Sequence, residues 1–196
     1  MDNNFDQAAN TNITNFSDDD DLRLFESRYN PDLAREILRI KHNDPEVECI
    51  CLMVMDSDEV EVDLNGVASR RLGHILGQNT HVEELYIYDC DPNVSSGLCA
   101  GLQNNRCIQN LYFSGIDLRD TENMSSVAPF LSNNPSLTGI TFKGSNIGSD
   151  SFNILSNAIL NRSEHSLEWL SLNSNHFGDI DLDQLVQALQ RSRNLC

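Results

Sequence analysis

The amino-acid sequence predicts an α/β solenoid, a series of repeated units in which parallel strands lie on one side and helices on the other. From about residue 56 onward, apolar residues recur in register at intervals of 26 to 30 residues. Each unit opens with alternating apolar residues, the pattern of a half-buried strand, and continues with apolar residues spaced by four, the pattern of a helix. One such unit cannot bury its apolar face alone, so several in series are expected.

Five segments supply the strands of the predicted repeats, and each carries apolar residues at its first and third aligned positions. These pairs are Val60/Val62, Leu85/Ile87, Leu111/Phe113, Ile140/Phe142 and Leu170/Leu172. In the last four units another apolar residue opens the unit three positions before the pair. We therefore expect each pair to point into a core between the strands and the helices.

The sixth aligned position is the point where each unit is expected to bend away from its strand. It holds a small, Asn or Cys residue in four units and an apolar one in the third: Asn65, Cys90, Ile116, Ser145 and Asn175. Polar groups there can bond backbone atoms that the strand ladder no longer uses. The third unit must satisfy those atoms in another way.

This spacing of Leu-x-x-Leu-x-Leu-x-x-Asn/Cys followed by a helix resembles the ribonuclease-inhibitor-like subclass of leucine-rich repeats. The resemblance covers residues 55–195. It implies a horseshoe-shaped solenoid with parallel strands on the concave face and helices on the convex face. It identifies the architecture and does not identify a ligand.

The region before the repeats divides into two parts. Residues 1–21 are rich in Asn, Asp, Thr and Ser and end in four aspartates, which predicts a disordered acidic tail. Residues 22–55 predict a cap, in which Asn30 and Pro31 begin a helix and the apolar run at 47–55 forms a strand. This cap would cover the open end of the repeats at 56–196.

The repeat pattern stops at the start of a sixth unit. Leu195 stands where a sixth strand would open, and the chain stops at Cys196. Solenoids usually end in a polar cap, because a bare last repeat exposes apolar surface. We expect the sequence to be a fragment, or the uncapped C-terminal end to be covered by self-association.

The net charge of −17 excludes some partner classes. A surface this negative repels phosphate backbones and anionic lipids, so neither nucleic acid nor a membrane is predicted as a partner. The N-terminus lacks the basic and apolar regions of a secretory signal, which predicts a cytoplasmic protein, with the nucleus as an alternative. The six cysteines are then expected to be reduced thiols.

The sequence offers no residues for an enzyme, a metal site or a cofactor site. Cys49 and Cys51 could be half of a zinc site, but no second pair of Cys or His residues stands at the required spacing. Because residues two apart on a strand share a face, buried core thiols are the favoured interpretation. We predict no catalytic residues, no metal and no cofactor.

The candidate binding residues are those of the predicted strands that point away from the core. Three of the four tyrosines and the single tryptophan fall at such positions, which suits an interface because Tyr and Trp are enriched in binding hot spots. The predicted partner-binding residues are Glu61, Asp63, Glu84, Tyr86, Tyr88, Tyr112, Lys143 and Trp169. The alternative is structural, since aromatic residues favour strands regardless of function.

The predicted function is that of a non-catalytic protein-interaction scaffold that binds a partner through the concave face. The acidic first end of that face suits a protein partner with a basic patch beside an apolar pocket. The alternative is a GTPase-activating regulator, because proteins that activate the Ran GTPase resemble this repeat class and are acidic.

Overall fold

The computed structural model describes residues 16–26, 31–53, 67–90, 92–162 and 167–176, together with the single residues 178, 183 and 186. Of residues 53, 67 and 92–95 it describes the backbone alone. The predicted first strand with Val60 and Val62 lies outside these ranges, and so does most of the fifth repeat after its strand.

Helices and parallel strands alternate along the described chain. In order these elements are α1 Asp18–Glu26, α2 Pro31–Lys41, β1 Cys49–Met53, α3 Val67–Gln78, β2 Glu84–Tyr88, α4 Pro92–Leu102, β3 Asn110–Ser114, α5 Thr121–Asn133, β4 Gly139–Lys143, α6 Ser149–Leu160 and β5 Trp169–Ser171. The strands form one sheet in the order β1-β2-β3-β4-β5, and each neighbouring pair is parallel. The α/β architecture with a parallel sheet is confirmed.

The core lies between one face of the sheet and the helices. Leu85, Ile87, Leu111 and Phe113 are fully buried, whereas the residues between and beside them are half-buried. The residues that open the last four units are also buried: Val82, Ile108, Leu137 and Leu167. The predicted alternation is thus confirmed for these strands, and β5 ends the described sheet with its Leu170 only half-buried.

The strand that precedes β2 in the sheet differs from the prediction. The place beside β2 belongs to β1, with Ile50 opposite Leu85 and Leu52 opposite Ile87. The predicted strand within the run at 47–55 is present as Cys49–Met53, and it is the first strand of the described sheet. The reason lies in its spacing, because Val47, Ile50 and Leu52 repeat the three-then-two spacing of the later units in a unit longer than the 26–30-residue period.

The acidic end of the tail that was predicted to be disordered is helical. Asp18 to Asp21 form the first turn of α1, where carboxylates are favoured by the helix dipole. The hydroxyl of Ser17 accepts a bond from the backbone N of Asp20 at 3.2 Å, and the Asp20 carboxylate accepts one from the backbone N of Ser17 at 3.1 Å. This reciprocal capping begins the helix. Residues 1–15 of the predicted tail lie outside the described ranges.

A buried ion cluster ties α1 to the next two helices. The fully buried carboxylate of Asp21 accepts bonds from Arg71 Nε at 2.7 Å and from an Arg71 terminal nitrogen at 2.6 Å. Lys41 Nζ lies 2.7 Å from the same carboxylate, and the Arg71 guanidinium lies 5.3 Å from the ring centre of Phe16. A buried charge is tolerated when it is paired and hydrogen-bonded in this way.

The bends that follow the strands are built as the sequence predicts. Asn175 donates to the carbonyls of Phe142 and Leu172 at 2.8 and 2.9 Å and accepts from the backbone N of Ser145 at 3.0 Å. Cys90 donates its thiol to the carbonyl of Tyr88 at 3.2 Å. The third unit holds the buried apolar Ile116 at this position, and the backbone N of Gly115 bonds the next strand, as those of Asp89 and Gly144 do in the neighbouring units.

Each bend begins with a left-handed residue five positions after the first residue of its strand. The φ angles are 48° at Asp89, 71° at Gly115, 58° at Gly144 and 60° at Ser174. Glycine adopts this conformation without steric cost, but Asp and Ser do not. Gly115 has a second constraint, since a Cβ there would lie 1.8 Å from Asp89 Oδ1.

A second row of polar side chains, not predicted from the sequence, holds the turns before the strands, and two of its members, Asn79 and Asn105, also bond the preceding unit. The side chain of Asn105 accepts bonds from the backbone N of Cys107 at 3.0 Å and of Ile108 at 2.8 Å. Its Nδ2 donates to the carbonyl of Leu76 at the end of α3 at 2.8 Å. Asn79 makes the corresponding three bonds one unit earlier.

The row continues in altered form in the later units. Asn134 accepts from the backbone N of Ser136 at 2.8 Å and of Leu137 at 3.1 Å. In the next unit Arg162 donates to the carbonyls of Leu131 and Leu137. At the end of α5 a guanidinium thus makes the bond to the helix that the amides of Asn79 and Asn105 make at the ends of α2 and α3.

Replacing Asn105 by Ala should lower the free energy of unfolding by about 3 kcal/mol, because it removes three bonds and leaves buried backbone groups unpaired. Urea denaturation followed by circular dichroism measures the change. The neighbouring Asn104 is exposed, and Asn104→Ala should change stability by less than about 0.5 kcal/mol. Equal midpoints for the two variants would show that the asparagine row does not stabilise the turns.

Candidate protein-binding face of the sheet

The outer face of the sheet, here called the strand face, consists of the strand side chains that point away from the helices. Parallel pairing in register arranges these side chains in rows that cross the strands. The middle row is Cys51, Tyr86, Tyr112, Thr141 and Ser171. Because each row takes the same position from every strand, its members are neighbours about 4.8 Å apart along the sheet.

The rows on either side of the middle row bring other predicted residues to the same face. The row at the beginning of the strands is Cys49, Glu84, Asn110, Gly139 and Trp169. The row at their ends includes Tyr88, Ser114 and Lys143. Most of the predicted binding residues are thus on one surface.

The placement of the predicted residues is uneven. Glu84, Tyr86, Tyr88 and Tyr112 form a contiguous group on β2 and β3, with Lys143 and Trp169 further along the sheet. Glu61 and Asp63 lie outside the described residues. The acidic end predicted for this face therefore depends, in the described part of the chain, on Glu84 and its neighbours. Partner binding by these residues stays a prediction.

The tyrosines are stacked. The ring centres of Tyr86 and Tyr112 are 4.3 Å apart, with 7° between the ring planes. Tyr88 lies 6.2 Å from Tyr86 in nearly the same orientation, at 6°. Parallel rings at these distances gain contact energy beyond the area they bury. The three rings form a preorganised aromatic patch.

A carboxylate fixes the central ring. The hydroxyl of Tyr86 donates to Glu84 Oε2 at 2.7 Å, two residues earlier on the same strand. This bond and then partial burial raise the pKa of Tyr86, because ionisation would lose the bond and set two anions side by side. Burial likewise raises the pKa of Tyr88. The hydroxyls of Tyr86 and Tyr88 therefore stay protonated to a higher pH than that of an ordinary tyrosine.

The two cysteines of β1 are exposed, so the prediction of buried core thiols is wrong for them. They do share one face of the strand, as predicted, but Ile50 and Leu52 between and after them take the core positions. Partial burial and the Glu84 carboxylate raise the pKa of Cys49, and partial burial also raises the pKa of Cys51. Both are neutral thiols beside the tyrosines. The apolar spacing of Val47, Ile50 and Leu52 was the signal that could have placed them there.

The far end of the strand face carries an exposed tryptophan. Trp169 on β5 is 62% exposed, which is unusual for so large an apolar side chain. Between it and the tyrosines the surface is low, because Gly139 has no side chain and a Cβ there would lie 2.3 Å from Asn110 Oδ1. Lys143 is exposed at the other end of β4, the strand that begins at Gly139.

Across the described ranges, no three or more His, Cys, Asp or Glu side chains are grouped so as to hold a metal ion. None of the helices within those ranges is long and apolar enough to cross a membrane.

Comparison with known proteins identifies the fold. The sequence matches no protein-family model and no curated protein. A solved structure of leiomodin-1 actin-binding site 2 superposes with a TM-score of 0.59 at 18% sequence identity, over 82% of this chain and 89% of that chain. The tropomodulin C-terminal domain of Caenorhabditis elegans superposes with a TM-score of 0.62 at 14% identity, over 83% of this chain and 93% of that one.

The chain has a leucine-rich-repeat-like α/β fold. The parallel strands and alternating helices of these neighbours agree with the repeat architecture predicted from the sequence. At such low identity the comparison shows the fold alone.

The bond between Tyr86 and Glu84 predicts a pH effect that can be measured. Glu84→Gln should lower the pKa of Tyr86 towards the ordinary tyrosine value of about 10, because it removes the charged acceptor. Ultraviolet titration should then show more tyrosinate at about pH 11 in the variant than in the native chain.

The sign of the linked stability effect follows from the raised pKa of Tyr86. The bond stabilises the folded chain below about pH 10 and stops doing so as the pH rises through the folded-state pKa. Glu84→Gln should therefore lower the free energy of unfolding at neutral pH. It should also make that free energy fall less steeply as the pH rises above about 10. Identical tyrosine titrations in both chains would contradict the role given to Glu84.

Proposed function

We propose that this protein is a non-catalytic protein-binding module whose strand face, centred on Tyr86 and Tyr112, contacts the partner. The stacked tyrosines carry the proposal. Two rings 4.3 Å apart and a third beside them present a rigid amphipathic surface at low entropic cost. Trp169, 62% exposed on the same face, adds a second aromatic anchor.

The charge of the strand face supports a partner with a basic patch. Glu84 is the carboxylate beside the tyrosines, and the chain as a whole carries a net charge of −17. Such a field accelerates association with a basic surface and disfavours acidic ones.

Actin is the first partner to assay. One of the structures that share this fold is a leiomodin-1 actin-binding site. Fold likeness alone is weak support for a shared partner, because one fold serves many functions. The GTPase-activating alternative stays a prediction, and GTP hydrolysis by a Ran-type GTPase with and without this protein would test it.

We also propose that the array curves into a horseshoe of the ribonuclease-inhibitor-like kind, with the strand face concave. Neighbouring strands are about 4.8 Å apart, whereas packed helices need about 8–10 Å. A stack with all strands on one side and helices on the other therefore bends towards the strands. The bend should be smallest between α3 and α4, where a Cβ on Gly101 would lie 2.2 Å from the backbone of Gly73.

The binding proposal predicts the effect of removing the stacked rings. Tyr86→Ala combined with Tyr112→Ala should weaken partner binding by about 30-fold or more, equivalent to about 2 kcal/mol. Co-sedimentation with filamentous actin and titration of labelled monomeric actin measure this directly. Lysate capture with the same baits extends the comparison to other partners.

The matched control removes two exposed side chains from the helical side of the molecule. Asn133 on α5 and Asn157 on α6 are both exposed, and their double replacement by Ala should leave binding unchanged. Circular dichroism and thermal melting verify that each variant is folded. Absence of actin binding by the native chain would exclude actin, and proteins captured equally by the tyrosine variant would exclude the strand face.

A further inference from the structure

In the described part of the sheet β1 is the edge strand, and it forms a shelf beside the tyrosine stack. Its floor is Cys49 and Cys51, both exposed and both small. Its wall is Tyr86, which the register places between Cys51 on one side and Tyr112 on the other. Tyr112 covers one face of the Tyr86 ring at 4.3 Å, so the other face is directed over Cys51. We call this space the thiol shelf.

The thiol shelf has a carboxylate at one end. Glu84 lies opposite Cys49 in the register and uses Oε2 to hold the Tyr86 hydroxyl. Among the described residues no bond is made to the other oxygen of Glu84, and no base lies on the strand face of β1, β2 or β3. The ionisable side chains there are all acids: Cys49, Cys51, Glu84, Tyr86, Tyr88 and Tyr112.

The electrostatics of these acids agree with a site for a cation. The pKa values of Cys49, Cys51, Tyr86 and Tyr88 are all raised, with burial and neighbouring acids among the causes. Burial is the first cause for Cys49, Cys51 and Tyr88, and the Glu84 carboxylate contributes to the raised pKa values of Cys49 and Tyr86. A bound cation would pair with that carboxylate.

We propose that the thiol shelf receives an arginine side chain of the protein partner, with its guanidinium stacked on the open face of Tyr86 and bonded to Glu84. A guanidinium is planar and weakly hydrated, so it suits an aromatic face beside a carboxylate better than an ammonium does. The thiols form a soft, neutral floor beneath it. This inference rests on the proposed protein-binding function and names the group that the partner supplies.

The test uses a blocked glycine–arginine–glycine tripeptide as the probe, with its neutral citrulline and its lysine counterparts. Ring-labelled tyrosines report binding by NMR, and Tyr→Phe variants assign the signals. As the arginine peptide is added, the Tyr86 and Tyr88 signals should shift and reach a plateau. High salt should weaken this binding. The lysine peptide should bind at least about threefold more weakly, and the citrulline peptide should give no saturable shift.

Variants of the full chain separate this site from general charge effects. Glu84→Gln should weaken the arginine peptide by about fivefold, whereas Glu122→Gln, which removes an exposed acid on α5, should change binding by less than about twofold. Cys51→Leu fills the shelf without touching Glu84 and should also abolish the Tyr86 shift.

Several outcomes would overturn the inference. They are equal binding of the citrulline peptide, shifts confined to Tyr112, no shift with any peptide, and full binding by Cys51→Leu. If one of these results is obtained and Tyr86→Ala with Tyr112→Ala still abolishes binding of the protein partner, the strand face binds the partner without an arginine in the thiol shelf. If the peptide binds as expected but partner binding survives loss of the tyrosines, the protein-binding proposal fails instead.

Discussion

The alternation of side chains along short parallel strands is the constraint on which the rest of the structure depends. Leu85 and Leu111 must point at the helices, because one unit alone has no other way to bury them. Pairing in register then aligns every outward residue with its counterparts on the neighbouring strands. The stack of Tyr86 on Tyr112 is a consequence of that alignment, as is the position of Cys51 beside it.

The turns make each unit depend on the one before it. Asn105 holds its own turn and at the same time bonds the end of α3, so the unit has a complete set of hydrogen bonds only when its predecessor is folded. Such nearest-neighbour coupling is the basis of cooperativity in repeat proteins. It also keeps the strand face rigid, which a preorganised binding surface requires.

The sequence predicts those features that depend on local spacing and fails where distant residues decide. The alternation of Leu85 and Ile87 with more polar residues is enough to predict their strand. The burial of Asp21 in an ordered helix could not be predicted, because its partner Arg71 lies 50 residues away. Four aspartates in succession are typical of a solvated tail. The pairing of β1 with β2 was not predicted, because the unit of β1 exceeds the common period. The shared face of Tyr86 and Tyr112 was predictable, but their 4.3 Å contact requires the register of the sheet.

The rates at which the cysteines react with iodoacetamide, followed by mass spectrometry of the native chain, test this arrangement most directly. Cys49 and Cys51 lie on the exposed strand face, whereas Cys90 and Cys99 are buried in the core. Cys49 and Cys51 should be alkylated at least about tenfold faster than Cys99, because burial shields Cys99 and also raises its pKa to about 12. Protection of Cys49 and Cys51 equal to that of Cys99 would mean that β1 does not form the edge of the strand face.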